Sequence, residues 1–169
     1  MKKSKKIVII GGVAAGASCA ARLRRLDETA QILILERGEY VSYANCGLPY
    51  HIGGVISDRD DLIVTKPEKF LAWFNIEVRL HSEVLSIDRA SRRVLVKNIE
   101  KEYFEEYDIL VIATGAKAFS PKTDGDESGR VRHLWTLPDM DGIIASLKTD
   151  SPSVTIVGGG FIGLETAEN

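Results

Sequence analysis

Apolar and polar positions change period several times along the chain. Lys6–Ile10 is a short, almost continuous apolar run, the pattern of a parallel strand buried on both faces. Gly11–Gly16 breaks it, and Ala17 to Leu26 is alanine-rich with a helical period, with Asp27 and Glu28 beyond its end. Gln31–Leu35 is a second apolar run that ends on Glu36. Strand, turn, helix and strand make a βαβ unit, right-handed by rule. Residues 37–64 are irregular and rich in Gly, Asp and Arg, with a short helix expected just after Cys46. Pro67 to Phe74 reads as a helix with proline in its first turn.

Ile76–Leu80, Glu83–Asp88, Arg93–Lys97 and Tyr103–Glu105 alternate apolar and polar side chains and read as strands. A turn at Arg89–Arg92 joins the middle pair. Tyr107–Thr114 returns to a buried strand and ends at Gly115. Residues 117–130 carry Pro, Gly, Asp and Ser without period, which marks a domain crossing. Val131–Thr136 is a candidate strand and Pro138–Leu147 a helix. Val154–Val157 reads as a further buried parallel strand, turned by Gly158–Gly163 into a helix that begins at Leu164. The pattern predicts an α/β fold: a Rossmann-like domain over residues 1–118, with a central parallel sheet and an inserted antiparallel segment. The start of a second Rossmann-like domain is expected over 119–169. A βαβ unit needs about 30 residues and a returning strand. The second motif has neither, so the chain is expected to be a fragment of a longer protein.

Composition narrows the function. A hydrophobic fraction of 44% is ordinary for a globular chain, and a net charge of −2 gives no global case for nucleic acid or membrane. The cluster Lys2, Lys3, Lys5 and Lys6 reads as a solvated terminus. No apolar run approaches the roughly 20 residues of a membrane helix, and Ile7–Ile10 is too short for a signal-peptide core, so a cytoplasmic location is the default expectation. Two cysteines, Cys19 and Cys46, make no disulfide framework, and the three histidines show no ligand spacing, so no metal is expected.

The turn Gly11-Gly12-Val13-Ala14-Ala15-Gly16 approaches G-x-G-x-x-G, with Val13 at the middle glycine. Glycine lets a pyrophosphate reach the free N–H groups of a helix N-terminus. The context fits a dinucleotide site: a strand before, a helix after, and Glu36 ending the next strand 20 residues beyond Gly16. An acid there bonds a ribose 2′-hydroxyl and repels a 2′-phosphate. The competing reading is a tight turn in some other α/β domain. Gly158, Gly160 and Gly163 repeat the motif.

Cys46 has two readings. A free cysteine is commonly a small buried hydrophobe. Its neighbours Asn45, Gly47 and Pro49 are turn-formers instead, and a helix beginning near Gly47 favours a reactive thiolate. Cys19, in the alanine-rich helix, reads as packing. Ser18, Arg22 and Arg25 are spaced by four and three and share one helix face. That face is either solvated or a seat for a phosphate-bearing molecule.

The runs Ile9–Ala17, Glu36–Tyr40 and Ser42–Tyr50, with Ile112–Ala116 and the terminal glycine motif, resemble the coenzyme A-disulfide reductases. These are single-cysteine flavoproteins of the pyridine nucleotide-disulfide oxidoreductase family, and the rhodanese-fused members look most similar. The resemblance implies an NAD(P)H-dependent oxidoreductase. FAD would lie on Gly11, Gly12, Ala15 and Gly16, with Glu36 on the ribose, Arg37 near the adenine, and Val84, Ala113, Thr114 and Gly115 completing this chain's share. NAD(P)H would bind at Gly158, Gly160 and Gly163. Cys46 would form a mixed disulfide with coenzyme A, and Ser18, Arg22, Arg25, Ser42 and Asn45 match positions that contact that molecule. A lysine used in some members is replaced by Phe74. Within the family, NADH oxidase or peroxidase and persulfide or polysulfide reductase are the alternatives. Outside it stands a nucleotide-binding module without thiol chemistry. The complete protein is expected to be a homodimer, and the 169 residues alone to bind FAD weakly and to be inactive.

Overall fold

The structure, a computed structural model, describes residues 4–119, 124, 129–148 and 153–169. The elements are β1 (Lys6–Ile10), α1 (Ala14–Leu26), β2 (Gln31–Leu35), a 3₁₀ turn (Asn45–Gly47), α2 (Leu48–Ile52) and a second 3₁₀ turn (Arg59–Leu62). They continue with α3 (Pro67–Phe74), β3 (Ile76–Arg79), β4 (Glu83–Asp88), β5 (Arg93–Lys97), β6 (Glu102–Glu106), β7 (Ile109–Ile112), α4 (Leu137–Leu147) and α5 (Phe161–Glu168). Two compact units result: Met1–Tyr43 with Ile63–Gly115, and Ala44–Leu62 with Ala116–Asn169.

The first unit holds a parallel sheet of order β3-β2-β1-β7 and an antiparallel sheet of order β4-β5-β6. β1 and β2 pair in register from Lys6 with Gln31 to Ile10 with Leu35. Side chains alternate across a strand, and both faces of this sheet are covered. Ile7, Ile9, Ile32 and Ile34 meet Ala17 and Ala20 of α1 and Phe70 of α3. Val8, Ile10, Leu33 and Leu35 meet Val94 and Val96 of the antiparallel sheet. That double cover is why the strand sequences are continuous rather than alternating.

Lys6 of β1 and Arg79 of β3 both bond the Glu105 carboxylate of β6, so one acid ties the antiparallel sheet to two strands of the other. Burial alone would raise the Glu105 carboxyl, but its bonds to Lys6 and Arg79 outweigh that and hold it below the usual carboxylate range. In the second unit α2 packs against α4 and α5, and Leu48, Leu62, Leu137 and Met140 are buried.

Two expected strands are not formed. Val131–Thr136 and Val154–Val157 carry no strand, and Val157 is 94% exposed. A strand exists by pairing, and no described backbone pairs with either segment. α5 begins at Phe161 rather than Leu164, and α1 begins at Ala14, closer to the glycine turn than its alanine run suggests.

Candidate functional site

The first glycine turn is shaped by contacts that exclude side chains. Gly11 has φ +94°, and a Cβ there would lie 2.3 Å from the Ala113 carbonyl oxygen. At Gly12 a Cβ would meet Val41 and Ile34 methyls at 2.8 and 2.9 Å. At Gly16 it would fall 1.8 Å from the Gly11 carbonyl oxygen, which brings α1 hard against the turn. Gly12 is therefore required by the packing of the turn against β2 and Val41. Val13 is the N-cap of α1 and no side chain caps the helix, so the N–H groups of Ala14, Ala15 and Gly16 have no partner within it. With the dipole of a 13-residue helix behind them, they can hold an anion.

Glu36 is buried at the end of β2. Its carboxylate accepts the Gly12 N–H at 2.7 Å and the Gly38 N–H at 2.8 Å. A carboxylate has about four acceptor positions, so two stay available for ribose hydroxyls. Ala113 donates its N–H to Ile10, and Ala113–Gly115 leaves β7 beside the turn, with Gly115 at φ +64°. Val84 packs against the core cluster that includes Leu35 and Ile10, and nearby the Ser82 N–H donates to the Glu36 carbonyl. Arg37 is exposed next to them. The sequence-predicted residues of this first site thus gather at one end of the parallel sheet. Their chemistry, an uncapped helix end, a glycine turn packed too tightly for any Cβ and a buried acid, fits a dinucleotide with a free 2′-hydroxyl.

Ser18, Arg22 and Arg25 are all exposed on α1. Ser42 has φ +50° and donates its N–H to the Gly12 carbonyl, so it belongs to the glycine turn. Asn45 and Cys46 belong to the other unit.

There the loop is pinned and the thiol is presented. Gly47, Leu48 and Pro49 are buried, and a Cβ on Gly47 would lie 2.5 Å from Leu62. Cys46, one residue earlier, is exposed and unpaired, which overturns the buried-hydrophobe reading. Cys19 is half-buried and packs against the core. The expected short helix is present, as the 3₁₀ turn running into α2.

The second glycine turn copies the first. Gly158 has φ +110°, Gly160 caps α5, and a Cβ on Gly163 would meet the Gly158 carbonyl oxygen at 2.5 Å and an Ile156 methyl at 3.3 Å. At Gly16 the equivalent contacts are Gly11 and an Ile9 methyl, the latter also at 3.3 Å.

Arg24 was missed by sequence reasoning. It is buried on α1 and donates to the carbonyl oxygens of Phe74, Asn75, Asp27 and Glu28. The signal was available, because Arg24 follows Ala17 and Ala20 at helical spacing on the inward stripe. Arg59 with Asp141 was also missed; its two bonds, at 2.9 and 2.8 Å, join the second 3₁₀ turn to α4. Among the described residues no helix is long and apolar enough to cross a membrane.

The family profile for pyridine nucleotide-disulphide oxidoreductase matches residues 5–169. A coenzyme A disulfide reductase of Staphylococcus epidermidis is 39% identical over 166 residues, covering 97% of this chain and 37% of that protein. The solved structure of reduced Bacillus anthracis CoADR-RHD is 46% identical with a TM-score of 0.94, covering 98% of this chain and 30% of that one. That of an NAD-dependent persulfide reductase from A. fulgidus is 37% identical with a TM-score of 0.92, covering 96% and 31%. The chain therefore spans about a third of the length of the relatives it matches.

Proposed function

Because this chain belongs to the pyridine nucleotide-disulphide oxidoreductase family, we propose that it forms the flavin-binding part of an NAD(P)H-dependent reductase of coenzyme A disulfide. In this reading residues 1–118 are the flavin domain and 119–169 open the nicotinamide domain. FAD, when bound, supplies the two-electron relay between a nicotinamide and sulfur. Gly11, Gly12, Ala15 and Gly16 hold its pyrophosphate, Glu36 its ribose and Arg37 its adenine end, with Val84 and Ala113–Gly115 alongside. Gly158, Gly160 and Gly163 take NAD(P)H.

Cys46 carries the chemistry. Its thiolate attacks one sulfur of coenzyme A disulfide, forming a Cys46–coenzyme A mixed disulfide and releasing one coenzyme A thiolate. Two electrons, originating in NAD(P)H, then break that bond, release the second thiolate and restore Cys46. Per turn, NAD(P)H and one further proton are consumed and two coenzyme A thiols form. Ser18, Arg22, Arg25, Ser42 and Asn45 hold the substrate.

The observation that carries this reading is the exposed, unpaired thiol of Cys46. Its presentation suits a centre whose partner thiol comes from the substrate, and position 51, where a C-x4-C pair would close, is His51. The similarity to relatives of that name supports it. A persulfide acceptor is the second reading, supported by the similarity to the A. fulgidus enzyme. The test is the complete polypeptide with Cys46→Ser, assayed with coenzyme A disulfide, persulfide and oxygen. Flavin should be retained and coenzyme A disulfide reduction lost. Undiminished reduction in the variant refutes the thiol reading, and a higher kcat/KM with persulfide or oxygen reassigns the acceptor.

A further inference from the structure

Residues 44–62 leave and return as one closed loop, in which the Ala44 N–H donates to the Leu62 carbonyl at 2.8 Å. Among the described residues no hydrogen bond holds the Cys46 sulfur, so it goes where the backbone takes it. That backbone rests on few contacts. The Gly47 N–H donates to the Ala44 carbonyl at 2.9 Å. A Cβ on Gly47 would lie 2.5 Å from a Leu62 methyl and 3.2 Å from an Ile56 methyl, so both side chains lie directly on the turn that carries the thiol. Ile56 is fixed in its turn: its N–H donates to the Tyr50 carbonyl at 3.1 Å, and its own carbonyl lies 2.7 Å from Nδ1 of His51.

Leu62 is wholly buried and closes the 3₁₀ turn that Arg59 opens. Arg59 donates from Nε and Nη2 to the two carboxylate oxygens of Asp141, at 2.9 and 2.8 Å. Asp141 stands on a firm base. Thr136 and Asp139 form a complete capping box at the start of α4, and Leu137 and Met140 are wholly buried. The hydrogen bond from Arg59 holds the Asp141 carboxyl below the usual carboxylate range, and the charge of His51 acts in the same direction. The two side chains are 30% and 42% exposed, so the pair stabilises the fold by under about 1 kcal/mol. A two-pronged pair of this kind fixes direction as well as distance, however. It holds one end of a turn whose other end, Leu62, seats the backbone of Cys46.

We propose that Arg59 and Asp141 are positioning residues for Cys46: their pair keeps the 3₁₀ turn, and through Leu62 the backbone under the thiol, in the geometry in which the sulfur reacts. The inference rests on the thiol reading above and adds to it what holds the sulfur in place. Displacing a reacting group by about 1 Å can cost about 100-fold in rate. The same pair contributes little to the fold. Its loss therefore shows in kcat and in local protection of the loop, and hardly at all in the core of the first unit.

The test uses the complete polypeptide with Asp141→Arg, which sets two cations against each other, and with Arg59→Glu and Asp141→Arg together, which restores opposite charges. In native-state hydrogen exchange the amides of Ala44 and Gly47 should exchange about 5- to 30-fold faster in the single variant, with those of β1 unchanged. In kinetics kcat for coenzyme A disulfide should fall about 5- to 100-fold. Alkylation of Cys46 by iodoacetamide, which needs no alignment, should stay within about threefold. The double variant should recover both exchange and kcat to within about threefold of wild type. Should Asp141→Arg fail to fold, Asp141→Asn carries the same test, at about two- to fivefold in both readouts. A kcat kept at the wild-type value overturns the proposal, as does faster exchange spread equally over β1, which marks a merely structural pair. Loosened amides that the double variant restores, in a protein that reduces no coenzyme A disulfide, support the hold on the Cys46 turn and refute the reductase reading instead.

Discussion

Removing the Glu105 carboxylate should loosen the join between the two sheets. Glu105→Gln keeps the volume and deletes the charge. The Glu105 side chain is 10% exposed, while Lys6 and Arg79 are 35% and 33% exposed. Deleting one member of a fully buried pair costs about 3–5 kcal/mol. Here the two orphaned cations reach water, and Arg79 keeps Glu77 and the Tyr103 hydroxyl, so the expected loss is smaller, about 2–3 kcal/mol. For a chain of this size that is a fall in Tm of about 4–12 °C. The pH dependence follows from the depressed carboxyl of Glu105. A carboxylate whose folded pKa lies below its unfolded value stabilises above the unfolded pKa. That stability is lost as pH falls through the folded one. The gap between wild type and variant should therefore be flat above about pH 5 and shrink below it. Thermal unfolding by circular dichroism from pH 3 to 8 measures both. A Tm within a degree of wild type at pH 7, or a gap that persists unchanged to pH 3, refutes the reasoning.

Other changes separate folding from binding. Gly16→Ala puts a methyl 1.8 Å from a backbone oxygen in the core of the first unit and should cost about 3 kcal/mol or more with loss of retained flavin; retention of wild-type Tm contradicts this. Gly163→Ala meets the equivalent contact at 2.5 Å, with the Gly158 carbonyl oxygen, and should raise KM for NAD(P)H in the complete polypeptide; an unchanged KM refutes an anion cradle there. Arg24→Met strands four carbonyl oxygens and should cost about 2–4 kcal/mol by urea unfolding, where an unchanged midpoint would show the clamp to be idle. Asp141→Asn breaks the bidentate pair with Arg59, yet Asp141 is 42% exposed; the same measurement should find under about 1 kcal/mol.

The sequence carried the first unit well because its elements are determined by local pattern. β1, β2 and α3 lie where apolar period and proline placed them. The glycine turn and Glu36 meet through the β1–β2 pair of the βαβ unit, while Ala113–Gly115 join them through the distant pairing of β7 with β1. Less legible was anything set by long-range pairing. Glu105 sits in an alternating strand as an ordinary charge, and only the approach of β1 and β3 makes it a buried hub. The exposure of Trp73 follows only once Phe70 and Phe74 take the inward face of α3. Exposure of Cys46 could be suspected from its turn-forming neighbours, but it is fixed by Gly47 and Leu62, fifteen residues apart in sequence.

The two glycine turns show why one motif can be read safely while the strand before it cannot. Gly158 and Gly163 reproduce the positive φ and the close approach of Gly11 and Gly16, down to the isoleucine methyl two residues before the turn. Yet Ile9 is wholly buried in a paired strand, whereas Ile156 is 39% exposed and unpaired. The turn is closed by contacts within six residues and needs no sheet. The strand is closed by neighbours and does. A helix end shaped to admit an anion is therefore a local property of this sequence, and the second turn can present free N–H groups without a strand beside it. At the first turn the buried Glu36 carboxylate holds Gly12 and Gly38, a contact between successive strands. In the proposed reading, recognition of a ribose hydroxyl at the first turn therefore comes from the end of β2, whereas a pyrophosphate cradle needs only the turn and its helix.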